Sequence, residues 1–132
     1  MKLFSVDESS QLPIWLQVRN RFAYLIKTGY YRPGDQLPSV RAVASEAGVN
    51  PNTVQKAYTM LERDGVIRSV PGRGSFLAEH AQLADSRRRA ALENLGKAVE
   101  EAVRAGVPAD EILAAVRESV EKGSLGEERG AL

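Results

Sequence analysis

Polar side chains able to recognise hydrogen-bonding groups are concentrated near the middle of this chain. Those of the central stretch are Asn50, Asn52, Thr53, Gln55 and Lys56. Ser39 and Arg41 precede them, and Gly72 and Arg73 follow in a short turn. Amides, hydroxyls and guanidinium groups match the donors and acceptors on base edges, and cationic side chains bind phosphates. These residue types, at this spacing, indicate a surface suited to nucleic acid.

The residues around this stretch predict two helices joined by a three-residue turn. Ser39 can accept an unpaired backbone N–H, so we expect a helix to begin there and to end at Gly48. Asn50 and Pro51 are preferred at the cap and first position of the next helix, which should run to about Asp64. The apolar residues of both helices recur at spacings of three and four; they are Val40, Val43, Ala44, Ala47, Val54, Ala57, Tyr58 and Leu61. Such a pair predicts a helix-turn-helix, whose second helix enters the major groove.

A hairpin should follow the second of these helices. Two short β-like runs, residues 66–70 and 75–78, flank a Pro71–Gly74 turn. Glycine in this turn would let the backbone approach a partner closely, and Arg73 supplies a positive charge for a phosphate. The two helices and the hairpin together predict a winged helix-turn-helix domain over residues 1–79.

An earlier helix, over about residues 12–28, should complete the core of this domain. Its apolar stripe includes Trp15 and Phe22, and we predict these two and Tyr58 to be core residues rather than stacking platforms. Arg19 is expected to lie off the stripe. This helix therefore supplies packing rather than contacts to a ligand.

Residues 80–132 are predicted to form a small helical domain with a frayed tail. One helix should run to about Ala105, before a break at Gly106 and Pro108, and a second should end at Lys122. Each helix has an apolar face; the two faces are Leu92, Leu95, Val99 and Val103, and Ile112, Leu113, Val116 and Val120. A two-helix hairpin cannot bury both faces, so we expect a second copy to cover them in a homodimer. The alternative is packing on the chain's own first domain.

The predicted fold is mainly α (α+β), a winged helix-turn-helix followed by a two-helix hairpin. A chain of 132 residues is too short for a large catalytic fold, so we expect neither an enzyme nor a cofactor. There is no cysteine and a single histidine, His80, so no metal site is expected.

Charge and hydropathy further restrict the class of protein. Basic residues outnumber acidic ones by ten to seven in residues 1–80, whereas acidic residues lead by ten to eight in residues 81–132. The basic excess of the first part suits phosphate contacts. No apolar run approaches the roughly 18 residues of a membrane helix, and the composition is consistent with the cytoplasm.

Several separated motifs over residues 10–78 resemble the signature of the GntR family of bacterial transcription regulators. They are Pro13–Gln17, Gly34–Asp35, Leu37–Arg41, Val49–Val54, Ala57–Tyr58, Leu61–Glu62, Asp64–Gly65 and Pro71–Phe76. The short helical remainder resembles the YtrA-like subfamily. That resemblance implies dimerisation through a small C-terminal helical unit and, as is usual for the subfamily, repression of transcription.

The same resemblance implies a role for individual residues. Arg41 matches the main base-reading arginine of the family. Asn52, Thr53 and Gln55 match recognition-helix contacts, and Gly72 matches the position where the wing contacts DNA. Because relatives place these residues on DNA, the family implies the same partner as the residue types themselves.

The sequence therefore predicts a sequence-specific DNA-binding transcriptional regulator. We expect a repressor that binds a pseudo-palindromic operator as a homodimer, with release by a small-molecule effector left open. Two alternatives remain: a winged helix that binds protein instead of DNA, and the DNA-binding fragment of a larger regulator with a pyridoxal-phosphate domain. For the run Arg87, Arg88 and Arg89, a solvated or ion-paired helix face is favoured over a DNA contact.

Overall fold

The computed structural model describes the backbone of residues 3–130 and the side chains of residues 3–123. The described part contains five helices and one antiparallel pair of strands; these are α1 (Ile14–Lys27), α2 (Val40–Ala47), α3 (Pro51–Arg63), β1 (Ile67–Val70), β2 (Gly74–Leu77), α4 (Ala81–Arg104) and α5 (Ala109–Gly130). The predicted mainly helical class is confirmed. Residues 1–2 and 131–132, at the ends of the two predicted domains, lie outside the described residues.

The core of the first three helices forms around Phe22 on α1, which is 0 % exposed. Its ring centroid lies 4.7 Å from that of Phe4 and 5.3 Å from that of Tyr58. Burying a large apolar side chain stabilises the fold by about 1.5–3 kcal/mol, so this aromatic cluster is a main source of stability. The predictions that Phe22 and Tyr58 are core residues are confirmed.

Two predictions for α1 are wrong. Arg19 was expected off the apolar stripe, but it is only 5 % exposed and forms an ion pair with Asp64 after the end of α3. The reason is helical spacing, since position 19 falls four residues after Trp15 and three before Phe22, on the same face. Trp15 is only half-buried and does not belong to the core cluster, because it lies in the first turn of α1.

The two strands of the hairpin pair with Ile67 opposite Leu77 and Val70 opposite Gly74. The other edge of β2 is covered by the segment Asp35–Leu37, which precedes α2. The Leu37 N–H donates to the Ser75 carbonyl (2.8 Å), and the Leu77 N–H donates to the Asp35 carbonyl (2.9 Å). The hairpin is therefore attached to the chain that leads into α2.

The chain folds as two compact units, Met1–Arg88 and Arg89–Leu132. The division falls inside α4 rather than at residue 79. The first turns of α4 belong to the first unit, because Ala81 is 0 % exposed and is part of its core.

The second unit consists of the rest of α4 and of α5. The prediction that the last helix ends at Lys122 and is followed by a frayed tail is wrong, since α5 continues to Gly130. Gly123 does not adopt the left-handed backbone that ends a helix, whereas Gly106 does, with φ of +86°. Along residues 3–130, no helix combines the length and the apolar character needed to span a bilayer.

Candidate nucleic-acid interface

The first turn of α2 places one arginine at the surface. The Ser39 hydroxyl accepts a hydrogen bond from the Ala42 N–H (3.1 Å) and so caps the helix, as predicted. Arg41 follows in the exposed first turn. The opposite side of α2 is anchored by Val43 and Ala44, which are buried against the core. Arg41 is therefore held on a fixed helix with its side chain in solvent.

The turn between α2 and α3 fixes the start of the second helix. Gly48 ends α2 with φ of +69°, a left-handed conformation that glycine adopts without strain. The Asn50 Oδ1 then accepts the Asn52 N–H (2.8 Å), and Pro51 occupies the first position of α3. Both predicted caps are present, so the side-chain oxygens of Ser39 and Asn50 are engaged by backbone.

The two sides of α3 differ sharply in exposure. Val54 and Ala57 are fully buried, and α3 packs with this side on α1 and α2. The residues on the other side are Asn52, Gln55, Lys56 and Thr59, and all four are exposed. Thr53 is half-buried. The helix therefore presents amide, hydroxyl and ammonium groups along one face, the groups that read base edges and phosphates.

Two of these exposed side chains contact neighbours. The Gln55 Nε2 lies 3.3 Å from the Thr59 Oγ1, one turn further along α3, and donates to it. The Lys56 Nζ lies 4.8 Å from the centroid of the Trp15 ring on α1. This is a cation–π contact, which is worth about 0.5–1 kcal/mol at an exposed site. The Trp15 ring thus holds the Lys56 ammonium, although the sequence predicts Trp15 as a core residue.

The tip of the hairpin, which we call the wing, carries the other predicted contacts. Gly72, with φ of +76°, and Arg73 are both exposed in the turn between β1 and β2. The Arg73 N–H donates to the Val70 carbonyl (2.9 Å), which closes the turn. Backbone and guanidinium at this tip are therefore accessible to a partner.

A cleft of about 770 Å³ separates the wing from the start of α2. Ser39, Gly72 and Arg73 all line it, so the structure brings these three predicted residues together. Arg41 and the predicted residues of α3 do not line this cleft but occupy the neighbouring helix surfaces. The contact of each predicted residue with DNA stays a prediction.

Two side-chain hydrogen bonds of this region were not predicted from the sequence. The Tyr58 hydroxyl donates to the Pro38 carbonyl, directly before α2, and burial raises the pKa of this phenol above its usual value. A phenol at a core position requires a hydrogen-bond partner, so its type was a usable signal. Gln36 donates from Nε2 to the Arg73 carbonyl (2.8 Å). No local pattern connects residues 36 and 73.

The apolar residues predicted for dimerisation form a second surface, within the second unit. Leu95, Val99, Ile112, Val116 and Val120 line a cleft of about 490 Å³ between α4 and α5. The other three predicted residues lie outside it and remain more than half exposed; they are Leu92 (51 %), Val103 (60 %) and Leu113 (56 %). Among the described side chains of the second unit, these apolar residues are thus exposed or line an open cleft.

Several transcription regulators are similar to this chain. The sequence profile of the bacterial regulatory proteins of the gntR family matches residues 16–77. The HTH-type transcriptional repressor YtrA of Bacillus subtilis (strain 168) is 37% identical over 112 residues, which cover 83% of this chain and 86% of YtrA. The chain belongs to the GntR family.

Solved structures are also similar to this GntR-family protein over much of its length. A GntR family transcriptional regulator from Listeria monocytogenes matches with a TM-score of 0.61 and 32% identity, over 86% of this chain and 98% of that one. AraR(DBD), solved in complex with operator ORX1, matches with a TM-score of 0.56 and 27% identity, over 59% of this chain and 99% of that one. The predicted winged helix is confirmed, as is the resemblance to YtrA, whose match extends beyond the winged helix.

Proposed function

We propose that this GntR-family protein is a sequence-specific DNA-binding transcriptional regulator and acts as a repressor. The observation that carries the proposal is the exposed polar face of α3, opposite a fully buried apolar face, in the second helix of a helix-turn-helix. AraR(DBD), which has the same fold, is solved with operator DNA, and YtrA is a repressor. Binding to chromosomal DNA would place the protein in the cytoplasm.

The proposed contacts divide between sequence reading and phosphate binding. Arg41 and the exposed residues Asn52 and Gln55 read base edges in the major groove, where arginine pairs with guanine and amides pair with adenine. Lys56 and Arg73 bind phosphates, which adds affinity without sequence preference. The cleft beside the wing accommodates the sugar-phosphate backbone between Arg73 and the start of α2.

The proposal includes a homodimer formed through α4 and α5. The uncovered apolar cleft and the exposed Leu92, Val103 and Leu113 support it, because large apolar patches mark association surfaces. The occupant we propose is the same surface of a second copy, in a two-fold arrangement that is self-complementary. Two copies of α3 then read the halves of a pseudo-palindromic operator, and occupancy of a promoter blocks transcription. A small-molecule effector, if one exists, would be identified experimentally as a compound that lowers the affinity of the protein for its operator.

The first experiment selects operator fragments from genomic DNA with the purified protein and then compares Arg41→Ala on operator and random duplexes. We expect Arg41→Ala to lose about 1–3 kcal/mol of binding free energy on the operator and little on random DNA. Arg117→Ala is the matched control, because Arg117 is exposed on α5, outside the winged helix. Binding would be measured by fluorescence anisotropy at several salt concentrations.

Three outcomes decide between the proposals. Equal losses of Arg41→Ala on both duplexes would contradict base reading by this residue. Absence of any salt-dependent binding by the unmodified protein would overturn DNA binding as a whole and favour a winged helix that binds protein. An operator without two-fold symmetry would contradict the dimeric mode.

A further inference from the structure

Gln36 connects the segment before α2 with the wing. Its backbone forms a bridge with Phe76 on β2, which fixes the residue beside the hairpin. Its exposed side chain reaches back along the cleft and donates from Nε2 to the Arg73 carbonyl at 2.8 Å. Gln36 is therefore the one residue of the Asp35–Leu37 segment whose described side chain is hydrogen-bonded to the wing turn.

The conformation at Gly74 matches this contact. Gly74 has a φ of +121°, which side chains with a Cβ rarely adopt. A Cβ at this position would lie 2.9 Å from the Gln36 Nε2, closer than real contacts of this kind. Glycine at position 74 thus adopts the backbone conformation of the turn without strain and leaves space for the Gln36 amide.

The hydrogen bond from Gln36 adds a second contact to the backbone of Arg73. The Arg73 N–H is bound to Val70 across the turn, and its carbonyl is bound by Gln36 from the other side of the cleft. An exposed turn held by few contacts is a place where proteins open locally at little free-energy cost. Groups that are ordered before binding do not lose that freedom on association, and affinity improves accordingly.

We propose that Gln36 is a positioning residue for DNA binding, which holds the wing so that Arg73 is directed at the phosphate backbone in the free protein. Gln36 acts through Arg73 and does not itself bind the phosphate. The inference rests on the proposed function, because it assigns the wing to a DNA contact. It adds a residue from outside the hairpin to the binding machinery.

The test replaces Gln36 by methionine, which has nearly the same length but no donor. Gln36→Met should weaken binding to every duplex by about three- to tenfold, the range of one solvent-exposed hydrogen bond. It should also lower the slope of affinity against salt, as is expected of Arg73→Ala if Arg73 binds a phosphate. Gln82→Met is the matched control, since Gln82 is exposed on α4 and should bind as the unmodified protein does.

A double-mutant cycle separates positioning from general destabilisation. In an Arg73→Ala background, Gln36→Met should weaken binding by less than about twofold, because the residue that Gln36 positions has been removed. Gln36→Glu provides a second variant: its carboxylate would repel the Arg73 carbonyl and should weaken binding more than methionine does. Unfolding temperatures of the variants should fall by no more than roughly a few degrees, since at most one exposed hydrogen bond is lost.

The free protein provides a readout that does not depend on DNA. NMR order parameters of the Arg73 and Gly74 amides should fall in Gln36→Met while those of β1 and β2 stay unchanged. Unchanged order parameters, or equal losses of affinity with and without Arg73, would overturn the role of Gln36. If the order parameters fall as expected but no variant binds DNA, the proposed function fails and Gln36 only orders the turn, which overturns its role in binding.

Discussion

Lys56 and Trp15 illustrate how a contact between two surface residues changes the expected behaviour of each. The sequence alone presents Lys56 as a free cation of the recognition helix, yet its ammonium lies over the Trp15 ring. Trp15 is predicted for the core, yet it is half-exposed beside α3. A contact of this strength is easily exchanged for a phosphate, because ammonium–phosphate attraction adds to the release of counterions.

Fluorescence of Trp15, the single tryptophan of the chain, should therefore report DNA binding. As Lys56 moves from the ring to a phosphate, the emission should approach that of the free Lys56→Met variant, which has no cation over the ring. Lys56→Met should also reduce the slope of log affinity against log salt by about 1. Lys27→Met, at the exposed end of α1, is the control. Unchanged emission at saturating DNA would show that Lys56 stays on Trp15.

Among the helices, the packing of α1 on α3 includes a buried charge. Arg19 is enclosed on α1, and its carboxylate partner Asp64 follows the last turn of α3 with about a third of its side chain exposed. The Arg19 Nε is buried and makes no hydrogen bond within the described residues. A guanidinium in such surroundings depends on its carboxylate, since an uncompensated buried charge is costly.

Asp64→Asn should accordingly destabilise the protein by about 1–3 kcal/mol in urea unfolding, because it leaves Arg19 buried without its counter-charge. In an Arg19→Met background the same change should cost less than about 0.5 kcal/mol, since no charge remains to compensate. Glu118→Gln breaks the exposed pair with Lys122 and should have an effect below about 0.5 kcal/mol. Equal costs of Asp64→Asn in both backgrounds would contradict the dependence of Arg19 on Asp64.

At the scale of the whole molecule, the two units differ in how their apolar residues are covered. The first unit encloses its own core, from Phe4 to Ala81. In the second unit, the apolar residues of α4 and α5 whose side chains are described are exposed or only half-buried. The first unit is therefore self-sufficient, whereas in our proposal a second copy covers the apolar surface of the second unit.

Val116→Glu, inside the α4–α5 cleft, should convert the proposed dimer into a monomer in analytical ultracentrifugation. Operator affinity should fall at least about tenfold, because the second half-site is no longer bound by a linked copy. Ala114→Glu introduces the same side chain on an exposed position of α5 outside the cleft and should leave the dimer intact. A monomeric unmodified protein, or a dimeric Val116→Glu, would contradict association through this cleft.

Features that depend on residues close in the chain could be predicted from the sequence. Ser39, Gly48 and Asn50 end or begin helices through their own backbone preferences, and the structure shows these roles at those positions. Contacts between distant residues could not be predicted in this way. The bond from Gln36 to the wing depends on how the hairpin is placed beside the segment before α2, and no local pattern encodes that placement.

The two helix caps have a consequence for how such a regulator can change its target. Ser39 and Asn50 are engaged in holding their helices, and replacing a cap by alanine costs about 0.5–2 kcal/mol. Asn52 and Gln55 lie in the first turns of α3 and do not cap the helix. Different side chains therefore determine operator specificity and helix stability. Substitution of Asn52 and Gln55, in evolution or by design, can change the operator preference without destabilising the helix.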